Sequence, residues 1–79
     1  MLAKIYVTPK EGVLDPQGNA VKHSLETLGF KDVEDVRVGK YIIVRLSKKN
    51  REAASKQVME MCEQLLANTI IESYRFELE

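Results

Sequence analysis

Apolar residues recur at every second position near both ends of the chain and at every third or fourth position in two stretches between them. This switching of period restricts the fold more than any other feature. In Leu2 to Thr8, Ala3, Ile5 and Val7 fall on one side and Lys4, Tyr6 and Thr8 on the other, the pattern of a half-buried strand. Pro9 ends it by removing a backbone donor. Thr69 to Glu79 alternates again, with Tyr74, Phe76 and Leu78 against Arg75, Glu77 and Glu79. Between these ends, Val21, Leu25 and Leu28 keep helical spacing. Further on, Ala54, Val58, Met61 and Leu65 do so with a second stripe of Met59, Cys62 and Leu66 beside them. The middle of the chain holds Val33, Val36 and Val38, then Gly39-Lys40, then Tyr41 to Leu46. That run predicts two strands folded into a hairpin at Gly39, with Ile42, Val44 and Leu46 on one face and Tyr41, Ile43 and Arg45 on the other.

The punctuation agrees with this division. Asp15-Pro16 is a helix start, because the carboxylate can accept from free amides of the first turn and a proline at the first helical position gives up no needed donor. Gly29 is placed to end that helix in the left-handed conformation, with Phe30 folding back on its last turn. Ser47-Lys48-Lys49-Asn50 is a polar break in which Asn50 or Ser47 caps the second helix, and Glu52 suits its first turn. Asn68 is expected to stop it in a left-handed conformation.

Strand, helix, strand, strand, helix, strand is the order of a ferredoxin-like α+β fold. Two right-handed crossovers put both helices on one face of a four-stranded antiparallel sheet. All of residues 1–79 belong to one such unit, since no linker, low-complexity segment or internal repeat interrupts them. The other face of the sheet would be bare. It would carry Tyr6, Tyr41 and Ile43, too apolar a set to leave wholly in water, so the expectation is a homodimer packed through the sheet. A chain of 79 residues buries a low fraction of its surface, which favours the same outcome.

Twelve basic and twelve acidic residues cancel, so no net charge draws the chain to nucleic acid or to a membrane surface. A lone cysteine, Cys62, cannot form an intrachain disulfide and fits a reducing compartment. The first residues lack the pattern of a secretory signal, and no apolar run is long enough to span a bilayer. The expected location is the cytoplasm.

Candidates for chemistry are few. His23 is the only histidine and has no nucleophile placed with it, so it reads as a helix residue, solvated or partly packed. Cys62 and His23 stand alone in their types without metal-ligand spacing, and Cys62 lies in an apolar stripe as a small core residue does. Gly12 and Gly18 lack the pattern of a phosphate cradle; Gly18 either offers a first-turn amide to an anion or permits close packing. Nothing brings Glu34, Asp35, Glu72 and Glu77 together as an acid/base pair. The same strand-helix order builds the RNA recognition motif, and Tyr6 and Tyr41 fall on its central strands. Tyr41 is followed by Ile-Ile-Val, however, where that motif needs glycine and aromatics.

What remains is the stretch Pro9 to Gly18, Pro-Lys-Glu-Gly-Val-Leu-Asp-Pro-Gln-Gly. Two prolines and two glycines shape it, and Val13 and Leu14 stand in its middle without an element of their own. Lys10, Val13, Leu14, Asp15 and Gln17 are the residues expected to meet a partner. Lys10, Arg37 and Lys40 are the candidates to meet an anionic group, or else ordinary solvated charges.

That stretch, together with Leu28-Gly29-Phe30, Val36-Arg37-Val38-Gly39-Lys40, Met61 to Asn68 and Ile71-Glu72, resembles the PurS family, the small subunit of phosphoribosylformylglycinamidine synthase. The resemblance runs the length of the chain. Thr69 departs from it where the family often has proline after the asparagine, which leaves the start of the last strand less rigid. The resemblance implies a subunit of a cytoplasmic ligase complex in purine biosynthesis, one that carries no catalytic residue and binds no metal or cofactor itself. ATP and magnesium would be used by a large synthetase subunit, and ammonia would come from a glutaminase subunit. The small subunit, itself a dimer, would help those two assemble and pass ammonia between them. An alternative from another class is a ferredoxin-like regulatory domain that senses a small molecule.

Overall fold

The computed structural model describes residues 1–47 and 50–79; Lys48 and Lys49 of the expected polar break lie outside the described residues. Strand β1 (Leu2–Pro9) is followed by helix α1 (Pro16–Thr27), strand β2 (Lys40–Arg45), helix α2 (Arg51–Met61), a π-helical turn over Cys62–Leu66, and strand β3 (Glu72–Leu78). The sheet is antiparallel in the order β2-β1-β3. Its register sets Tyr6 opposite Tyr41 on one side and opposite Arg75 on the other.

The α+β class and the two helices agree with the expectation from sequence; the fourth strand does not. Val33–Val38 forms no strand, and the chain does not fold back at Gly39 as a hairpin. The polar groups of this segment are engaged elsewhere. The Val38 N–H donates to the Asp15 carboxylate at 2.9 Å, and Arg37 Nη1 donates to the carbonyls of Lys10 and Val13 at 3.2 and 3.4 Å. The segment is therefore bonded to the Pro9–Gly18 loop and has fewer free groups for a neighbouring strand.

Ala3, Ile5 and Val7 of the central strand are fully buried beneath Ala54, Val58 and Cys62. These three face the sheet because they recur at i, i+4 and i+8. Leu65, expected in the same stripe, is 83% exposed. In the π-helical turn the Ala67 N–H bonds to the Cys62 carbonyl, five residues back, at 3.0 Å, and the wider turn leaves Leu66 against the core while Leu65 swings outward. The core is small, and α1 supplies no residue to it.

The arrangement of α1 is the second departure. Only Gly18 of that helix is buried; Val21 and Leu28 of its apolar stripe are exposed and Leu25 is half-buried. Both helices were expected on one face of the sheet, but α2 alone fills it. The Pro9–Gly18 loop, α1 and the return segment to Gly39 instead form an arm leaving the end of the sheet where Val7 pairs with Lys40. The molecule accordingly measures 49 × 24 × 15 Å, with a radius of gyration of 16.0 Å. A compact chain of this length would have a radius of about 12 Å.

Candidate functional site

The arm is held together by one carboxylate. Asp15 caps α1 by accepting from the Gly18 N–H at 3.0 Å through one oxygen, and its other oxygen accepts from Val38. These two bonds, Val38 first, hold its carboxyl below the usual value of 3.8, and the nearby Arg37 guanidinium adds to the effect. Gly18 matters sterically: a Cβ there would run into the Val36 carbonyl, so the first turn of α1 lies directly on the return segment. Of the two readings of Gly18, close packing is the one the geometry fits, and the anion at this helix start is the chain's own Asp15. At the far end Gly29 takes φ 104°, the left-handed conformation expected of it, and the Phe30 N–H returns to the Leu25 carbonyl at 3.0 Å. The Phe30 ring, however, stays exposed.

Clamped in this way, the loop presents its residues unequally. Leu14 is 76% exposed, Lys10 and Gln17 are exposed, Val13 is half-buried, and Asp15 is turned inward to its two amides. Arg37 is engaged with Asp35 and with the two loop carbonyls, and Lys40 lies 3.7 Å from Glu72. Of the three candidate anion contacts, only Lys10 keeps its ammonium clear of any ion pair found among the described residues.

The sheet face away from α2 holds the second group. Tyr6 and Tyr41 stack with their ring centroids 5.0 Å apart, and the Arg75 guanidinium lies 3.9 Å over the Tyr6 ring. Tyr41 and Ile43 are about half exposed, so this face is a flat aromatic and aliphatic patch with a cation upon it. Tyr6, Tyr41 and Ile43 do share one face, as the alternation requires. The stacked tyrosines and Arg75 were separable from sequence only as neighbours; their contact depended on strand register.

The remaining candidates are dispersed. Asp35 pairs with Arg37, Glu77 with Arg75, and Glu72 accepts from the Asn68 N–H at 2.7 Å, so these acids serve local structure. Asn68 itself is not left-handed. Its side chain accepts from Ile70 and its carbonyl from Ile71 and Glu72, which turns the chain into β3. Among the described residues, no three His, Cys, Asp or Glu side chains gather as a metal site, and no helix is long and apolar enough to cross a membrane. Cys62 is buried, which pushes its thiol up from the usual value, with Glu63 adding to the shift. Sequence reasoning missed the bond from the Tyr74 hydroxyl to Glu63, 2.7 Å long, which raises the Tyr74 phenol to about 12.

Residues 2–79 match the family model for PurS, phosphoribosylformylglycinamidine (FGAM) synthase. The PurS subunit of Bacillus subtilis is 53% identical over 76 residues, covering 96% of this chain and 89% of that one. The PurS subunit of Archaeoglobus fulgidus is 43% identical over 74 residues, covering 94% and 92%. Among solved structures, Bacillus subtilis PurS superposes with a TM-score of 0.89 at 51% identity, over 99% of this chain and 96% of that one. A chain of the PurLQS structure from Thermotoga maritima superposes with a TM-score of 0.82 at 30% identity, over 98% and 96%. A match over nearly the whole chain, in both sequence and fold, places this protein in the PurS family.

Proposed function

We propose that this chain is the small, non-catalytic subunit of a phosphoribosylformylglycinamidine synthase, a glutamine- and ATP-dependent ligase complex of purine biosynthesis. The observation that carries the reading is the near-complete likeness to a chain of the PurLQS structure from Thermotoga maritima. The clamped arm suits such a role. Asp15 and Arg37 hold the loop, while Leu14 and the α1 stripe face outward.

The partners are a glutaminase subunit and a large synthetase subunit in the cytoplasm, with ATP and magnesium handled by the synthetase. Of the loop residues, Lys10, Leu14 and Gln17 form the surface that meets them, with Val13 at its edge, while Asp15 serves by fixing the loop. Lys10 is the residue best placed for an anionic group there, since Arg37 and Lys40 are already paired with Asp35 and Glu72. Tyr6, Tyr41 and Ile43 pack the outer face of the sheet against a second copy. Holding two active sites together raises the local concentration of ammonia at its acceptor, and the contribution of this chain is positional.

The test is reconstitution. Glutamine-dependent product formation by the two large subunits is measured with and without this chain. The expected result is loss of coupled turnover in its absence, while turnover of the synthetase on added ammonium salts persists. Unchanged glutamine-dependent turnover without the chain overturns the reading.

A further inference from the structure

We infer that Arg37 is a positioning residue for assembly: it fixes the turn over Lys10–Val13, so that Leu14 enters an apolar socket on a large subunit from a loop already in its bound shape. This rests on the functional reading above and adds to it the residue that sets how tightly the loop is captured.

Three observations carry it. The first is the turn itself. The Val13 N–H donates to the Lys10 carbonyl at 3.3 Å, and Gly12, third of the four residues so closed, takes φ 81°. That is the position at which a type II turn requires a left-handed residue. A single neutral bond of this length is a weak closure for a turn on the surface.

The second is what reinforces it. Arg37, 24 residues beyond Val13, donates through Nη1 to the Lys10 carbonyl at 3.2 Å and to the Val13 carbonyl at 3.4 Å, the first and last carbonyls of the turn. Its Nε donates to Asp35 at 3.4 Å and so holds the guanidinium plane from the other side. A lysine ammonium has one nitrogen and no plane, and cannot keep all three contacts in one orientation. The Arg37 side chain is 34% exposed and belongs to no part of the core, so its removal loosens the turn without opening the fold.

The third is the placement of Leu14. It directly follows the turn and directly precedes Asp15, whose carboxylate is bound to the Gly18 and Val38 amides. The near end of the loop is tied by the Lys10 N–H to the Ile71 carbonyl at 2.9 Å. The backbone on both sides of Leu14 is therefore held, while Leu14 itself is 76% exposed. An apolar side chain on an ordered backbone loses little freedom when a partner covers it. On a slack turn, only the fraction of chains in the right shape can bind, and the apparent affinity falls by that fraction.

A double-mutant cycle with the full chain and the two large subunits tests this. Capture is measured for the wild type, Arg37→Ala, Leu14→Ala and the double variant, each with its urea midpoint. Arg37→Ala should weaken capture about tenfold with its midpoint little changed, and in the Leu14→Ala background the same change should weaken it less than about twofold. Equal losses in the two backgrounds, unaltered capture, or an Arg37→Ala chain that does not fold overturn the proposal. Salt separates positioning from a direct ionic contact: the salt dependence of capture should be the same for Arg37→Ala and wild type, and a shallower dependence in the variant overturns it too. Gly12→Ala is the independent variant, since a Cβ there meets nothing within the chain and acts only by straining the turn. It should reproduce the loss with Arg37 intact, and full capture by it counts against the proposal in the same way. A wild-type chain that the large subunits do not capture refutes the functional reading and this inference with it; a captured wild type with an additive cycle refutes this inference alone.

Discussion

Asp15 does more for the arm than any other side chain, and its behaviour with pH should show it. Its folded-state pKa lies below the unfolded value, so its contribution is present above about pH 4 and is lost as pH falls through the lower folded value. Asp15→Asn is therefore expected to flatten the acid limb of stability below about pH 4, measured as the urea midpoint against pH. Tyr74 works in the opposite direction. Its phenol is raised to about 12, so its bond to Glu63 stabilises fully below the unfolded value near 10 and is lost as pH rises through about 12. Tyr74→Phe should remove that alkaline loss, and ultraviolet titration should lose a step near pH 12. Gly18 is a steric case: Gly18→Ala pushes a methyl at the Val36 carbonyl and should cost about 1–3 kcal/mol in denaturant unfolding. Asp15 was legible as a cap because Asp-Pro before a helical pattern has one common meaning. Its second bond, to a residue 23 positions away, carried no local signal.

At the scale of elements, the central strand bears the packing. Ile5 is wholly buried under α2, and Ile5→Ala should cost about 2–5 kcal/mol in the same unfolding measurement. The alternating strands were readable, since period 2 leaves one assignment of faces, and β1, β2 and β3 adopt it. The hairpin at Gly39 was not, because an extended apolar run reads the same whether its amides bond to a strand or to a loop. Arg37 and Asp15 decided between the two through contacts that no period encodes. In α2 the positions Ala54, Val58 and Cys62 were readable, but Met59 of the expected second stripe is 50% exposed, and Leu65 fails because a π-helical turn shifts the phase by one residue and has no signature of its own in this sequence.

For the whole molecule, the decisive variant is Leu14→Asp. The side chain is exposed on a loop clamped from both ends, so the fold should survive with its melting temperature nearly unchanged while capture by the large subunits is lost. Retained capture would remove the loop from the partner surface. The class of the fold, the faces of its strands, the start of α1 and the likeness to PurS were all determined by the sequence itself, because each depends on neighbours within a few residues or on motifs spread along the chain. The count of strands, the stacking of Tyr6 on Tyr41 under Arg75, and the departure of α1 from the sheet were decided only in three dimensions. The physical reason is the same in each case. Hydrophobic period says which face of an element seeks cover, but what covers it is decided by register and long-range packing, and α1 supplies nothing to the core that its spacing would lead one to expect.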